Sequence, residues 1–450
     1  MEIIKPRTLS GFLELLPAQQ VFFDSITRKL RDVFALFGFT SLDTPLMEAA
    51  EILLAKGGGE IDKQIYSLRK GDADLALRYE LTTSLAKYVS LNYSKLTFPF
   101  RRYEIGKVYR GERAQRGRYR EFYQADIDII GDGALGALNE AEIPSVIYKC
   151  FTAIGLDRFI IQINNRKTLN GFFELLGVGG VAQDVMRAVD KLDKIGGGKL
   201  SAILTDDIGL SKTQTGKILD FVTYQGDPLD VLDEYRGKNE DFDSGADELT
   251  AIMRHIAGFG VPGSHFRINL AIARGLDYYT GTVYETLLID HPEVGSICSG
   301  GRYDNLAERF IDRRLPGVGI SIGLSRLFYI LQEQGLLNAS ILTAPVDVLI
   351  IPMTEDLSHA IALATSIREA GLRAQIYGED KKFKVKISYA DKIGAPFVVF
   401  LGEDEISNGL VSVKDMSTGV QTAASSAMAI AGMREKITAL RDGPPIRMGT

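Results

Sequence analysis

Along residues 18–37, apolar side chains recur at Val21, Phe22, Ile26, Leu30, Val33, Phe34 and Phe37, the spacing of one helix face. Gly38 breaks that period, and a short extended run then reaches Pro45. Residues 75–92 read as a short strand leading into a helix, with Thr82 or Thr83 placed to cap it. Near residue 98 the period falls to two. Aromatic and β-branched positions predict one strand from Phe100 to Tyr109 and another from Tyr119 to Ile130, joined by a polar loop. On the second strand Tyr123, Ala125, Ile127 and Ile129 form an apolar face, while Phe122, Gln124, Asp126 and Asp128 point the other way. A helix over 137–154 and a strand over 158–163 follow. Residues 180–262 are helical, polar and punctuated by glycines, and strand patterning resumes after them, so they read as an inserted helical module. Residues 317–330 pass from glycines into a helix that carries Arg326 early. A linker over 336–345 precedes alternating strands and helices over 346–435, which imply a mixed sheet with covering helices, and a tail over 436–450.

Composition narrows the class. The 450 residues are 45% hydrophobic and 24% charged, as expected of a soluble protein of two to four domains. No apolar run approaches the ~20 residues of a membrane span, and no secretory leader pattern opens the chain, so a cytoplasmic location is expected. Cys150 and Cys298 are too few for a disulfide framework, and the four histidines lack zinc-site spacing. Neither TQTGKI near Lys217 nor GVGISIG at 317–323 completes a phosphate-loop or dinucleotide fingerprint.

Charge singles out the hairpin. Between Arg101 and Glu121 there are eight Lys or Arg against three Glu, in a chain of net charge −6. Such a local excess suits an anion, and Arg forks suit phosphate or carboxylate. A solvated charged hairpin is the plain alternative. The alternating polar face of the second strand argues for a lined site.

Tyr109-Arg110-Gly111-Glu112-Arg113 followed by Gly117-Arg118-Tyr119-Arg120-Glu121-Phe122-Tyr123-Gln124 resembles motif 2 of class II aminoacyl-tRNA synthetases, in the form found in the histidyl subgroup. Other stretches fit in family order. The helix, strand and Pro45 resemble motif 1, the dimer element; Arg78-Tyr79-Glu80-Leu81-Thr82 resembles the element that holds the substrate amino group. Arg274-Gly275-Leu276-Asp277-Tyr278-Tyr279 and Ser299-Gly300-Gly301-Arg302-Tyr303-Asp304 resemble the two histidyl signatures, whose glycines would let backbone pack against a ligand. The segment leading to Arg326 resembles motif 3, and the C-terminal unit resembles an anticodon-binding domain. Two departures stand out: Ala114 replaces a usual proline in the motif 2 loop, and Arg7-Thr8-Leu9-Ser10-Gly11 matches the N-terminal element poorly.

The resemblance implies an α+β class II synthetase core over residues 1–335, an antiparallel sheet flanked by helices with the helical insertion, plus a C-terminal α/β anticodon-binding domain. It implies a histidine–tRNA ligase using ATP with Mg2+, L-histidine and histidine tRNA, acting as a homodimer. Arg110 and Arg274 would be catalytic at the α-phosphate. Glu80 and Thr82 would hold the amino group, with Gln124, Asp128, Tyr278 and Tyr279 around the imidazole. Glu112 and Arg326 would position ATP, and Phe122 would stack on adenine. Arg113, Gln115, Arg116, Lys382 and Lys384 would contact tRNA. Ligands for a metal ion are not assigned. The rival readings are a histidine-sensing regulatory paralogue of the kind that pairs with ATP phosphoribosyltransferase, which usually lacks the site arginines and the last domain, and a purely RNA-binding module.

Overall fold

The computed structural model describes residues 3–54, 63–114, 117–273, 278–335 and 343–441. They divide into two compact units, one built mainly on residues 27–334 and the other on residues from 335 onward together with residues 14–26.

The larger unit is organised by two sheets. In chain order the strands are β1 (Thr40–Ser41), β2 (Met47–Ala49), β3 (Ser67–Lys70), β4 (Ala73–Leu77), β5 (Phe100–Tyr109), β6 (Glu121–Ile130), β7 (Phe159–Asn165), β8 (Phe266–Ile268), β9 (Thr282–Leu288), β10 (Cys298–Tyr303) and β11 (Gly317–Ile322). Strands β2, β4 and β3 make a small sheet; the others form one of eight strands in the order β1-β5-β6-β11-β10-β9-β7-β8. Its interior is antiparallel, whereas the outer pairs β1/β5 and β7/β8 are parallel. The hairpin β5–β6 pairs over its whole length, from Phe100↔Ile130 to Tyr109↔Glu121. The second strand starts two residues later than its aromatic pattern suggests, because Arg120 N donates to the Gly11 carbonyl instead of entering the ladder. Ala125, Ile127 and Ile129 are fully buried, as alternation requires.

Helices back the sheet. Ala137–Ile154 buries Ile143, Val146, Ile147, Phe151 and Ile154, each worth roughly 1.5–3 kcal/mol. The helical module starts earlier than its glycines suggest, at Arg166, where the Asn165 side chain accepts from Lys167 N and caps the helix Arg166–Leu175. Its long helix Glu240–Gly258 is capped by Asn239 and packs on that helix and on Ala137–Ile154. Phe172, Phe221, Tyr235 and Phe242 pack ring on ring between its helices, with Phe172 and Phe221 stacked at 4.0 Å.

The second unit carries β12 (Val348–Pro352), β13 (Ala374–Ile376), β14 (Phe397–Leu401), β15 (Leu410–Asp415) and β16 (Gln421–Ser425), in the order β13-β12-β14-β15-β16. The first three strands are parallel and the last two antiparallel, the mixed sheet expected. Its final helix runs from Ser426 to Arg441 and buries Met433 and Ile437. The packed domain therefore extends past residue 435, where a tail had been expected, because the apolar period continues through Ile437.

Candidate active site

The polar face of β6 is the floor of the site. Its neighbours present matching positions: on β5 Arg102 faces Asp128 and Gly106 faces Gln124, and on β11 Ser321 faces Asp126 and Gly319 faces Asp128. Ser299 on β10 lies opposite Ser321. Two glycines are demanded by close approach. A Cβ at Gly319 would collide with the Asp128 carboxylate, and one at Gly106 with the Arg78 guanidinium.

Over this floor opens a cavity of about 240 Å3, lined by Glu80, Thr82, Arg110, Gln124, Asp126, Asp128, Tyr278, Tyr279, Ser299, Tyr303, Gly319, Ile320 and Ser321. Glu80 and Thr82 arrive from the turn that enters the helix Thr82–Leu91. Neither Thr82 nor Thr83 caps that helix with its side chain. Instead Thr83 Oγ1 donates to Glu80 Oε1 at 2.5 Å and Tyr278 OH donates to Oε2 at 3.3 Å, so the first turn fixes the carboxylate rather than the helix end. Burial pushes the Glu80 carboxyl up, against the pull of Thr83 and Arg110.

Asp128 is held on both sides. Tyr303 OH donates to Oδ1 at 2.6 Å, and Arg102 Nη2 stands 2.7 Å from Oδ2. Burial raises its pKa to about 6, and that of Asp126 to about 8; Arg102 opposes both shifts. Enclosure also pushes the Tyr278 and Tyr279 hydroxyls up, so both stay protonated donors. Below the floor, Arg78 Nη1 pairs with Glu104 Oε1 at 2.7 Å and donates to the Thr44 carbonyl, also at 2.7 Å. Arg102 adds a longer contact to Glu104, at 3.7 Å. This buried charge lattice ties the strands beneath the cavity together.

A second cavity of about 310 Å3 adjoins the first and is lined by Arg110, Glu112, Phe122 and Arg326, among others. Arg110, Gln124, Ser299 and Ser321 line both. Arg110 Nε donates to the Tyr79 carbonyl at 3.0 Å, and its guanidinium lies 5.2 Å from the centre of the Phe122 ring. Gln124 Nε2 donates to Ser321 Oγ at 2.6 Å. Arg326 donates to the Ser296 carbonyl at 3.1 Å and to the Val294 carbonyl. Among the described residues no cluster of three or more His, Cys, Asp or Glu could hold a metal ion.

Alternation and motif spacing thus bring together seven of the expected histidine-site residues, Glu80, Thr82, Arg110, Gln124, Asp128, Tyr278 and Tyr279, with Glu112, Phe122 and Arg326 around the neighbouring cavity. Arg113 is exposed on the loop beyond β5. Gln115, Arg116 and Arg274 lie outside the described residues. Lys382 and Lys384 are exposed in the second unit, at the start of the helix Phe383–Ile393. Gly300 and Gly301 sit in β10. A side chain on Gly300 would strike the Gly319 carbonyl, and one on Gly301 the Thr282 carbonyl, so these glycines serve strand packing. Arg302 in the same signature binds Glu140 at 2.6 Å and Asp304 at 3.1 Å, a structural clamp. Sequence reasoning passed over Asp126, Ser299, Ser321 and Tyr303 as site residues. Asp126 already stood on the Gln124 face by alternation; the other three are set by strand order, which no local pattern encodes.

Comparison with known proteins agrees with this geometry. A family model for histidyl-tRNA synthetase matches residues 11–327, and one for an anticodon binding domain matches residues 347–439. The chain is 49% identical to a histidine–tRNA ligase of Clostridium tetani, over 95% of this chain and 98% of that one. It is 44% identical to a histidine–tRNA ligase of Finegoldia magna, over 93% and 97%. The crystal structure of histidyl-tRNA synthetase from Nostoc sp. PCC 7120 superposes with a TM-score of 0.89 at 37% identity, covering 96% of this chain and all of that one. With class II motifs, paired cavities and a separate C-terminal sheet domain in one order along the sequence, the chain belongs to the histidyl-tRNA synthetase family.

Proposed function

We propose that this chain activates L-histidine with ATP to histidyl-adenylate and pyrophosphate, then transfers the histidyl group to the 3′ end of histidine tRNA. The observation that carries the reading is the shared wall of the two cavities, where Arg110 stands between a carboxylate-lined pocket and one lined by Phe122, Glu112 and Arg326. That wall is where an amino acid's carboxylate would meet the α-phosphate of ATP.

The attack builds negative charge on phosphoryl oxygens, so fixed cations lower its barrier. Arg110 supplies one, tethered through Nε to the Tyr79 carbonyl. Arg274 takes the second such role by its place in the signature. Glu80 and Thr82 receive the α-ammonium, with Glu80 prepositioned by Thr83. Gln124, Asp128, Tyr278 and Tyr279 surround the ring. Phe122 stacks on adenine, and Glu112 and Arg326 hold the nucleotide. Mg2+ enters with ATP; Glu112, among the described residues lining that cavity, is its carboxylate, which suits an ion held chiefly by phosphates and water. A ring without N–H groups would cover the polar lining of the histidine pocket without offering it a hydrogen bond, so apolar side chains are disfavoured. No side chain is assigned as a general base; the substrate carboxylate is already the nucleophile.

The loop bearing Arg113, Gln115 and Arg116 is assigned to the tRNA acceptor end, and Lys382 and Lys384 to its anticodon region. A homodimer is expected from the motif 1 segment, which leaves Leu36, Leu46 and Met47 exposed; sedimentation as a single 49.4 kDa chain at micromolar protein would refute it. Among the described residues no helix is long and apolar enough to cross a membrane, in keeping with work in the cytoplasm. The test of the activation step is ATP–pyrophosphate exchange. It should run with L-histidine and not with other amino acids; exchange that ignores histidine would overturn the assignment.

A further inference from the structure

One carboxyl under the histidine pocket stands outside its ion pairs. Arg78 pairs with Glu104, and Arg102 with Asp128 and, at longer range, Glu104. Asp126 remains. It is 2% exposed, lines the pocket, and among the described residues no ion pair reaches it and its Oδ1 finds no hydrogen-bond partner. Burial holds this carboxyl neutral against the pull of Arg102 and Ser321, and a cation meeting Oδ1 would favour its ionised form. Asp128, two residues on and on the same face, is by contrast already held by Tyr303 and Arg102.

We propose that Asp126 is a specificity residue of this pocket: its carboxylate accepts an N–H of the substrate's side-chain ring, beside Asp128, so that histidine is held as the imidazolium. The inference rests on the proposed activation of histidine. It follows from geometry: Asp126 lines the cavity and its Oδ1 is unpartnered among the described residues. With two neighbouring carboxylates facing the ring, both ring nitrogens have acceptors, and both donate only in the protonated form.

The groups facing Asp126 fix what its proton does. They are Arg102 and Glu104 from β5, Asp128 on its own strand and Ser321 from β11, with Cys298 from β10 and Tyr279 from the loop before β9. Without ligand, burial holds the carboxyl protonated up to about pH 8. A free imidazole loses its proton near pH 6.5. Between those values the carboxyl proton moves to the ring nitrogen on binding, and no proton is exchanged with solvent. Above about pH 8 the carboxylate is already ionised, and one proton is taken from solvent onto the ring.

The test uses the full chain, L-histidine, and β-(1,2,4-triazol-3-yl)alanine, whose ring stays neutral in this range. Asp126→Asn should raise the KM for histidine in pyrophosphate exchange by ~10-fold or more, the loss of one charge-assisted hydrogen bond. The KM for ATP should be unchanged, and the triazole analogue should be affected several-fold less. Calorimetry on the unaltered protein at pH 8.5, in buffers of different ionisation enthalpy, should show about one proton taken up with histidine and none with the triazole. Equal losses for both ligands, an unchanged histidine KM, or no proton uptake would each overturn the role of Asp126. Absence of histidine-dependent exchange in the unaltered protein would instead overturn the functional reading itself.

Discussion

Arg102 and Asp128 face each other across β5 and β6, both buried, with Nη2 2.7 Å from Oδ2. The pair holds a carboxylate of the cavity floor and ties it to Glu104 below. Removing Arg102 would leave Asp128 buried with only the Tyr303 hydroxyl and would take a cation from Glu104. Arg102→Leu should therefore cost about 3–5 kcal/mol of stability, read as a fall in the urea midpoint. An unchanged midpoint would show that the pair carries no structural weight.

The same floor sets a pH dependence. Asp126 and Asp128 have folded-state pKa values raised to about 8 and about 6 by burial, against a usual value near 3.9. The folded state then binds more protons than the unfolded chain above about pH 4. The contribution of these two groups to stability is complete below that pH and is lost as pH climbs through 6 and then 8. Asp126→Asn removes one share of that loss. Its melting temperature relative to the unaltered protein should rise between pH 5 and pH 8.5, and a pH-independent difference would contradict the assignment.

Much of this site was readable from spacing. Strict alternation on β6 put Gln124, Asp126 and Asp128 on one face, whereas Glu80 and Thr82 read locally as a capping region and gained a site role only from the family resemblance. The partners of those residues were not readable. Tyr303 reaches Asp128 from β10, two strands away from β6 in the sheet, and Ser321 meets Gln124 from β11. Strand order is decided by long-range packing, and a local pattern carries no trace of it. The packing need for glycine in β10 was hidden for a related reason: it comes from a neighbouring strand's carbonyl, which is invisible along the chain.

Arg274 tests the transition-state argument. If it acts at phosphorus, Arg274→Ala should lower the maximal exchange rate by ~10²-fold or more while changing the KM for histidine and ATP little. A change confined to KM would make it a binding residue only.

The second unit is assigned to tRNA and not to activation. Deleting residues 340–450 should spare histidine-dependent exchange, provided the remaining chain folds, and abolish charging. Reversing the charge of Lys382 and Lys384 should weaken tRNA binding and flatten its salt dependence by about one unit of slope for each phosphate no longer neutralised. If affinity and slope both stay put, those lysines are only a solvated face.

The most direct measurement is charging itself: purified histidine tRNA, ATP, Mg2+ and labelled L-histidine with the intact chain. The account predicts ATP-dependent esterification of the tRNA approaching one histidine per molecule, and none with other amino acids. Binding of histidine and ATP without any transfer to tRNA would contradict it and point to a histidine-sensing role instead.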